Sequence, residues 1–293
     1  MKIIFSRKGF DASNGGVPSP ILPDGQMVSL PIPSSQDVRR MGNLVFDGIN
    51  LGHLTEQLTN GQVDASRFVH LDPDINAMLV PRAANWRPAF GQTGAAQRHL
   101  ANQMVGVGDL FLFYGWFRQT EVVGGRHRYV RAAPGIHAIF GWLQIGEKWA
   151  IAARRDELLA AHPAQANHPH LASLEKYANA RNKLNTLYVA SPRLALDSNR
   201  VSTISGGGTF LHYRESLRLS KPGSTRRHWR LPLWMMPGGG RPPLSYHRSP
   251  AAWALHDDHV ELRTACIGQE FVLDCAHYPE AIDWAGSLYP SSS

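Results

Sequence analysis

The sequence predicts an α+β fold, a mixed, β-rich sheet core with peripheral helices. Three observations predict it. The chain opens on a short apolar strand, Ile3-Ile4-Phe5, that runs straight into a polar loop. Residues 109–117 and 138–145 are dense in aromatic and aliphatic side chains with few turn formers. Short helical faces, such as Leu51, Leu54 and Leu58, flank these strands.

The elements follow in order. Residues 1–35 read as a strand and a long proline-rich loop. Ser34-Ser35-Gln36-Asp37 is a cap for a short helix, and the Leu51 helix stops at Asn60-Gly61, a favoured left-handed ending. Phe68-Val69-His70-Leu71 is a short buried strand that ends in polar groups at Asp72-Pro73-Asp74. A helix is expected over 93–104 with Ala96, Leu100 and Met104 on one side. After the 109–117 strand, residues 121–127 form a hairpin turned at Gly124-Gly125. The next strand, 138–145, has a bulge or close contact at Gly141. Two helical segments occupy 151–183, the second carrying Leu174, Tyr177 and Ala180. Residues 186–190 are a strand and 205–209 a flexible turn. Residues 231–236, 254–263 and 270–273 complete a second β-rich portion.

The loop after the first strand is the leading site. Ser6-Arg7-Lys8-Gly9-Phe10-Asp11 and Asn14-Gly15-Gly16-Val17-Pro18-Ser19-Pro20 gather two cations, a carboxylate and hydroxyls at a strand end. Gly15 and Gly16 permit positive φ or close approach of backbone to a ligand. Neither GxxxxGK[ST] nor GxGxxG is present. The loop also has a plain reading, as an edge-strand turn in which Lys8 and Asp11 form a solvated pair.

This block resembles the opening of the nucleotide modification associated domain, third type, a family of bacterial and phage proteins tied by context to DNA base modification. Gly108-Asp109-Leu110-Phe111-Leu112-Phe113-Tyr114-Gly115-Trp116-Phe117, Leu231-Pro232-Leu233-Trp234, Leu244-Ser245-Tyr246-His247 and Gly268-Gln269-Glu270-Phe271-Val272-Leu273 extend it. The resemblance implies one such domain over 1–293 and a setting in base modification rather than a defined reaction. Within it, 93–150 resembles the small PUA/ASCH/EVE-like barrels, some of which bind modified bases in an aromatic pocket; a generic meander gives the same pattern.

Composition narrows the class. At 293 residues, 43% hydrophobic and 18% charged, the chain suits a soluble, cytoplasmic protein of one large or two small domains. No apolar run of transmembrane length or signal peptide is read, so no membrane partner is expected. Cys266 and Cys275 are expected to stay reduced. The net charge is +7, and all of that excess lies between Arg214 and Arg248. There Arg214, Arg218, Arg226, Arg227, Arg230 and Arg241, with Lys221 and Arg248, face Glu215 alone and alternate with Trp229, Trp234 and Tyr246. Cations interleaved with aromatics suit a polyanion with stackable bases, DNA or a nucleotide. A basic surface loop whose tryptophans point inward gives the same pattern.

Metal and cofactor motifs are not found. His162, His168 and His170, and the His256-Asp257-Asp258-His259 run, read as surface histidines, and no metal site is expected. The zinc deaminase pattern and Gly-x-Ser-x-Gly are absent. Carboxylate chemistry remains. Asp11 is the first choice, with Lys8 to hold a phosphate or lower its pKa and Tyr246 and His247 as proton donor or acceptor. Asp24, Asp47 and Asp72 are reserves. Ser6, Arg7, Gly15, Gly16 and Ser19 would bind substrate, Tyr114 and Trp116 would wall the pocket, and Gln269 and Glu270 would read a base edge. The leading expectation is an enzyme acting on a nucleobase or nucleotide, by transfer to a base, removal of a base or hydrolysis of a precursor. A non-catalytic reader of modified bases and an enzyme on a small phosphorylated metabolite are the alternatives.

Overall fold

The apolar run at the amino terminus becomes an interior strand of a nine-stranded mixed sheet. The computed structural model describes residues 1–172, 184–196, 203–265 and 270–289. The strands are β1 (Lys2–Arg7), β2 (Ser19–Ile21), β3 (Ala89–Gln92), β4 (Leu110–Val123), β5 (Arg126–Tyr129), β6 (Ile136–Ala150), β7 (Thr186–Ala190), β8 (Gly207–Thr209) and β9 (Glu270–Asp274). The main path is β9-β1-β4-β6-β7-β3, with β2 and β5 on β4 and β8 on β6. Only β1 and β2 run parallel to their neighbour β4. Consecutive residues of β1, β4 and β6 are buried. This is what near-continuous apolar runs signify: strands covered on both faces.

Around the sheet lie helices α1 (Leu51–Leu58), α2 (Gly94–Asn102), α3 (Ile151–Ala161), α4 (Pro169–Ala172) and α5 (Glu280–Ser287). A small sheet of Ile32–Pro33, Phe68–His70 and Arg39–Arg40 packs with α1 around Phe10, Leu30, Met41 and Val69. A second small sheet joins His228–Leu231, Val260–Arg263 and Trp253–Leu255.

The expected α+β class is what the chain forms. The antiparallel run of β4, β5 and β6 is present, turned at Gly124-Gly125, with a register shift beside Gly141. Residues 93–150 do not close a small barrel; their strands hydrogen-bond outward to β1 and β7. The path is open, yet its ends converge through side chains. Gln92 Nε2, on β3, donates to Glu270 Oε1, on β9, at 2.6 Å. Sheet twist brings two edges this close without a ladder between them.

Some local expectations change. No helix follows Ser34, because residues 34–38 are the turn between two strands of the small sheet, and Asp37 is spent on His70. Residues 207–209 are strand β8, not a flexible turn. A Cβ on Gly208 would lie 3.0 Å from the Trp142 ring, so the glycines there serve close packing. Met104 is exposed, and Gln97 with Leu100 forms the inner face of α2. The helical reading at Leu174, Tyr177 and Ala180 lies outside the described residues, as does Cys266; Cys275 is buried.

One feature of the sheet creates the site. β1 pairs with β4 up to Arg7 opposite Tyr114, and β2 resumes at Ser19 opposite Phe117. Residues 8–18 leave the sheet while β4 advances only past Gly115 and Trp116. The exit is tight: a Cβ on Gly115 would lie 2.9 Å from the Lys8 carbonyl oxygen. Backbone cannot yield there as a flexible side chain can. Gly115→Ala is therefore expected to cost about 1–3 kcal/mol by overpacking, read as a lower urea midpoint. An unchanged midpoint would mean that the loop exit is not fixed by this contact.

Candidate functional site

A cavity of about 270 Å³ lies between the end of the main sheet and the small sheet. Arg7, Lys8, Asp11 and Asn14 line it from the amino-terminal loop, His70 and Asp72 from the small sheet, and Gly91, Gln92, Thr93 and His170 from β3, α2 and α4. The loop is anchored by Phe10, which is buried and donates its N–H to the Leu30 carbonyl at 3.0 Å. Burial of a phenylalanine contributes about 1.5–3 kcal/mol, enough to hold the cations on either side of the turn.

Asp11 is the hub of its own loop. Its Oδ1 accepts from Ser13 N (2.8 Å), Asn14 N (2.7 Å) and Asn14 Nδ2 (3.1 Å). Gly15 has φ +88°, and a Cβ there would fall 2.2 Å from the Phe10 ring; Gly16 has φ +75°. Both shape the loop rather than line the cavity. Arg7 has no ion-pair partner among the described residues, whereas Lys8 is committed. Lys8 Nζ lies 2.8 Å from Glu270 Oε1 and 4.6 Å above the Phe90 ring. Glu270 is 1% exposed, and its Oε2 has no hydrogen-bond partner among the described residues. The same holds for Oγ of Ser6, its register neighbour on β1.

The remaining expected site residues sit elsewhere. Ser19 is buried, and its Oγ accepts from Leu30 N at 3.1 Å. Tyr114 is in the core, its ring edge-on to Trp229 at 4.9 Å, which leaves no face for a base. Trp116 is half-buried with the Arg226 guanidinium 4.3 Å above it. His247 is buried with both nitrogens on backbone: Nδ1 donates to Ser245 O at 2.8 Å, and Nε2 accepts from Ala265 N at 3.0 Å. Burial lowers its pKa. Tyr246 is 44% exposed and rests on the His99 ring at 4.3 Å; burial and the Glu270 charge raise its phenol pKa. Gln269 lies outside the described residues.

The arginine-dense stretch is largely tied down. Arg214 bonds the Leu288 carbonyl, Arg218 the Ser220 carbonyl and Glu215, and Arg227 the Thr264 carbonyl. Arg230 pairs with Asp258, Arg241 with Glu280 and Lys221 with Glu261. Trp229 is wholly buried. The stretch nonetheless converges electrostatically with the amino-terminal loop at His137. That buried ring is pushed down to about 3 by burial first, then by the Arg226 and Arg7 charges.

The sequence reading missed the other wall. His168 and His170 are not surface residues; they are 2% and 3% exposed and sit beside Asp72. Asp72 Oδ1 accepts from Gly91 N at 2.9 Å and lies 3.3 Å from His168 Nε2. Burial raises the pKa of this carboxyl, but the adjacent His168 ring and the positive charge that His168, His170 and His70 carry when protonated outweigh it and hold it at about 2. Burial pushes His170 down to about 3. The available signal was the polar ending of the strand at His70 and Asp72, the same pattern that marked Arg7 and Lys8.

Over residues 2–274 the chain matches the family described as nucleotide modification associated domain 3. It belongs to that family. The match takes in both walls of the cavity and the arginine-dense stretch, and it ties this nucleotide modification associated domain 3 protein to nucleotide modification. No curated protein and no solved structure matches the chain. Among the described residues no helix is long and apolar enough to cross a membrane.

Proposed function

We propose that this protein is an enzyme acting on one nucleobase or nucleotide at a time, in the cavity at the end of β1. The observation that carries the reading is Arg7, a guanidinium without an acidic partner among the described residues on the wall of a cavity that also holds Asp11. Such a fork suits a phosphate. At about 270 Å³ the cavity is at the small end of ligand sites. It has room for a single base or nucleotide, free or taken out of a DNA stack, and not for a duplex. Asn14 and Gln92 offer amides to a base edge, and Asp11 supplies the carboxylate at the reacting centre.

Mass spectrometry of nucleosides and nucleotides incubated with the protein, in plain and modified DNA and as free monomers, tests this. The expected result is a new mass in one of these pools. Arg7→Met should raise KM about 10- to 100-fold, the loss of one charge-assisted hydrogen bond. Asp11→Asn keeps an oxygen for Ser13 and Asn14, so it should retain binding and lose turnover about 100-fold or more. No mass change in any pool, with binding unaffected by Asp11→Asn, would overturn catalysis. That outcome would favour a non-catalytic reader, a reading supported by the three donors Asp11 already satisfies within its loop.

A further inference from the structure

We propose that His70, Asp72 and His170 bind one divalent transition-metal ion in this same cavity. Their ligand atoms all lie within 4.8 Å of one another. His70 Nε2 stands 3.9 Å and His170 Nε2 3.7 Å from Asp72 Oδ2. Ligands about 2.1 Å from a tetrahedral ion are roughly 3.4 Å apart, so each ring needs to close on Asp72 Oδ2 by only a few tenths of an ångström.

Hydrogen bonds on the far side of each ring fix its orientation. His70 Nδ1 lies 3.0 Å from Asp37 Oδ2, and a carboxylate only accepts, so this nitrogen carries the proton. His170 Nδ1 lies 2.6 Å from Asn185 Oδ1. The Asn185 amide is oriented by its Nδ2, which donates to the His170 carbonyl at 3.2 Å. His170 Nδ1 is therefore a donor as well. When neutral, both rings therefore turn their Nε2 lone pairs toward one carboxylate oxygen. A divalent cation placed between these three atoms would take all of them as ligands.

The surroundings hold this geometry. Asp72 Oδ1 is taken by Gly91 N and neighboured by His168, which leaves Oδ2 turned to the two rings. The His170 ring lies flat on Gly91, where a Cβ would come within 2.3 Å of it. A histidine whose second nitrogen donates to a carboxylate or carbonyl is how proteins fix metal-binding imidazoles. Two imidazoles and one carboxylate, with further positions open to a cavity, suit Zn²⁺, Fe²⁺ or Co²⁺. The competing arrangement is a His70 imidazolium held between Asp37 and Asp72, which needs no ion. Metal binding stands apart from the nucleotide reading, because it is measured with no substrate present. Any role of the ion in polarising a phosphate or water rests on that reading.

The test uses the full chain, stripped with a chelator and titrated with Co²⁺ and Zn²⁺. One equivalent of Co²⁺ should bind and give visible absorption bands. His70→Gln and Asp72→Asn should each abolish that equivalent. Asp37→Asn should weaken it 10- to 100-fold while leaving its stoichiometry at one. The exposed group His256, His259 and Glu261 is the control; its Glu261 already pairs with Lys221. His256→Gln should change nothing. X-ray absorption of the Zn²⁺-loaded wild type should show two imidazole nitrogens at about 2.0–2.1 Å, a readout that needs no variant to fold. Absence of a bound equivalent, or its loss in His256→Gln and survival in His70→Gln, overturns the proposal.

Discussion

Lys8→Met is expected to destabilise the protein by about 3–5 kcal/mol, the largest single-site effect at this site. Lys8 and Glu270 are 10% and 1% exposed in their side chains, and the pair is 2.8 Å apart. Removing the cation leaves a carboxylate buried, with Gln92 Nε2 as its remaining donor and Oε2 unsatisfied among the described residues. The cost is that of the stranded charge rather than of the lost attraction. Lys8→Met/Glu270→Met removes both charges and keeps the volume, so it should recover most of the loss, since buried pairs are commonly replaceable by apolar side chains. Urea unfolding of the single and double variants checks this. A single-variant loss below about 1 kcal/mol, the value of an exposed pair, would mean that Glu270 is reached by water. In the double variant the seam between β3 and β9 also loses the Gln92–Glu270 hydrogen bond, so the recovery should fall short of complete.

That seam explains what was legible in the sequence. Ile3-Ile4-Phe5 and the 109–117 run declared buried strands because their burial is consecutive, a local property. The loop between them declared itself through Gly15, Gly16 and its cations, again local. Glu270 was visible as polar at a strand end, but its pairing with Lys8 and Gln92 depends on two sheet edges meeting, which no spacing encodes. Tyr114 misled for a related reason. Alternation in a strand does not say which face is solvent when both are covered. The arginine-dense stretch was read correctly as charge and incompletely as surface, since Asp258, Glu261 and Glu280 lie beyond it in sequence and beside it in space. His168 and His170, next to prolines in a polar segment, gave no sign of burial. Their partners at Asp72 and Asn185 come from other parts of the chain.

Acid should weaken the fold through His137. The ring is 5% exposed, and its Nδ1 accepts from Trp229 Nε1 at 3.1 Å. An indole N–H only donates, so that nitrogen holds a lone pair and the ring is neutral. Protonation would break this bond and bury a cation within reach of Arg226 and Arg7, which is why the group lies at about 3 against an ordinary 6.5. Below 6.5 the unfolded chain takes up a proton that the folded chain refuses until about 3. The unfolded state then binds more protons, so stability is full above 6.5 and falls as the pH drops toward 3. The slope from this one group approaches about 1.4 kcal/mol per pH unit. His137→Gln keeps an acceptor for Trp229 and removes the titration, so its stability should fall less steeply between pH 6 and pH 4 by about that slope. Equal slopes would show that the ring is protonated in the fold. Neutrality here has a consequence for the cavity: His137 adds no charge beside Arg7, which keeps that guanidinium available to an anionic ligand. A phosphate bound at Arg7 would offset that charge and raise the His137 pKa. The titration midpoint of the His137 ring should therefore move upward on ligand binding in the wild type, which lessens the loss of stability in acid, and stay fixed in Arg7→Met.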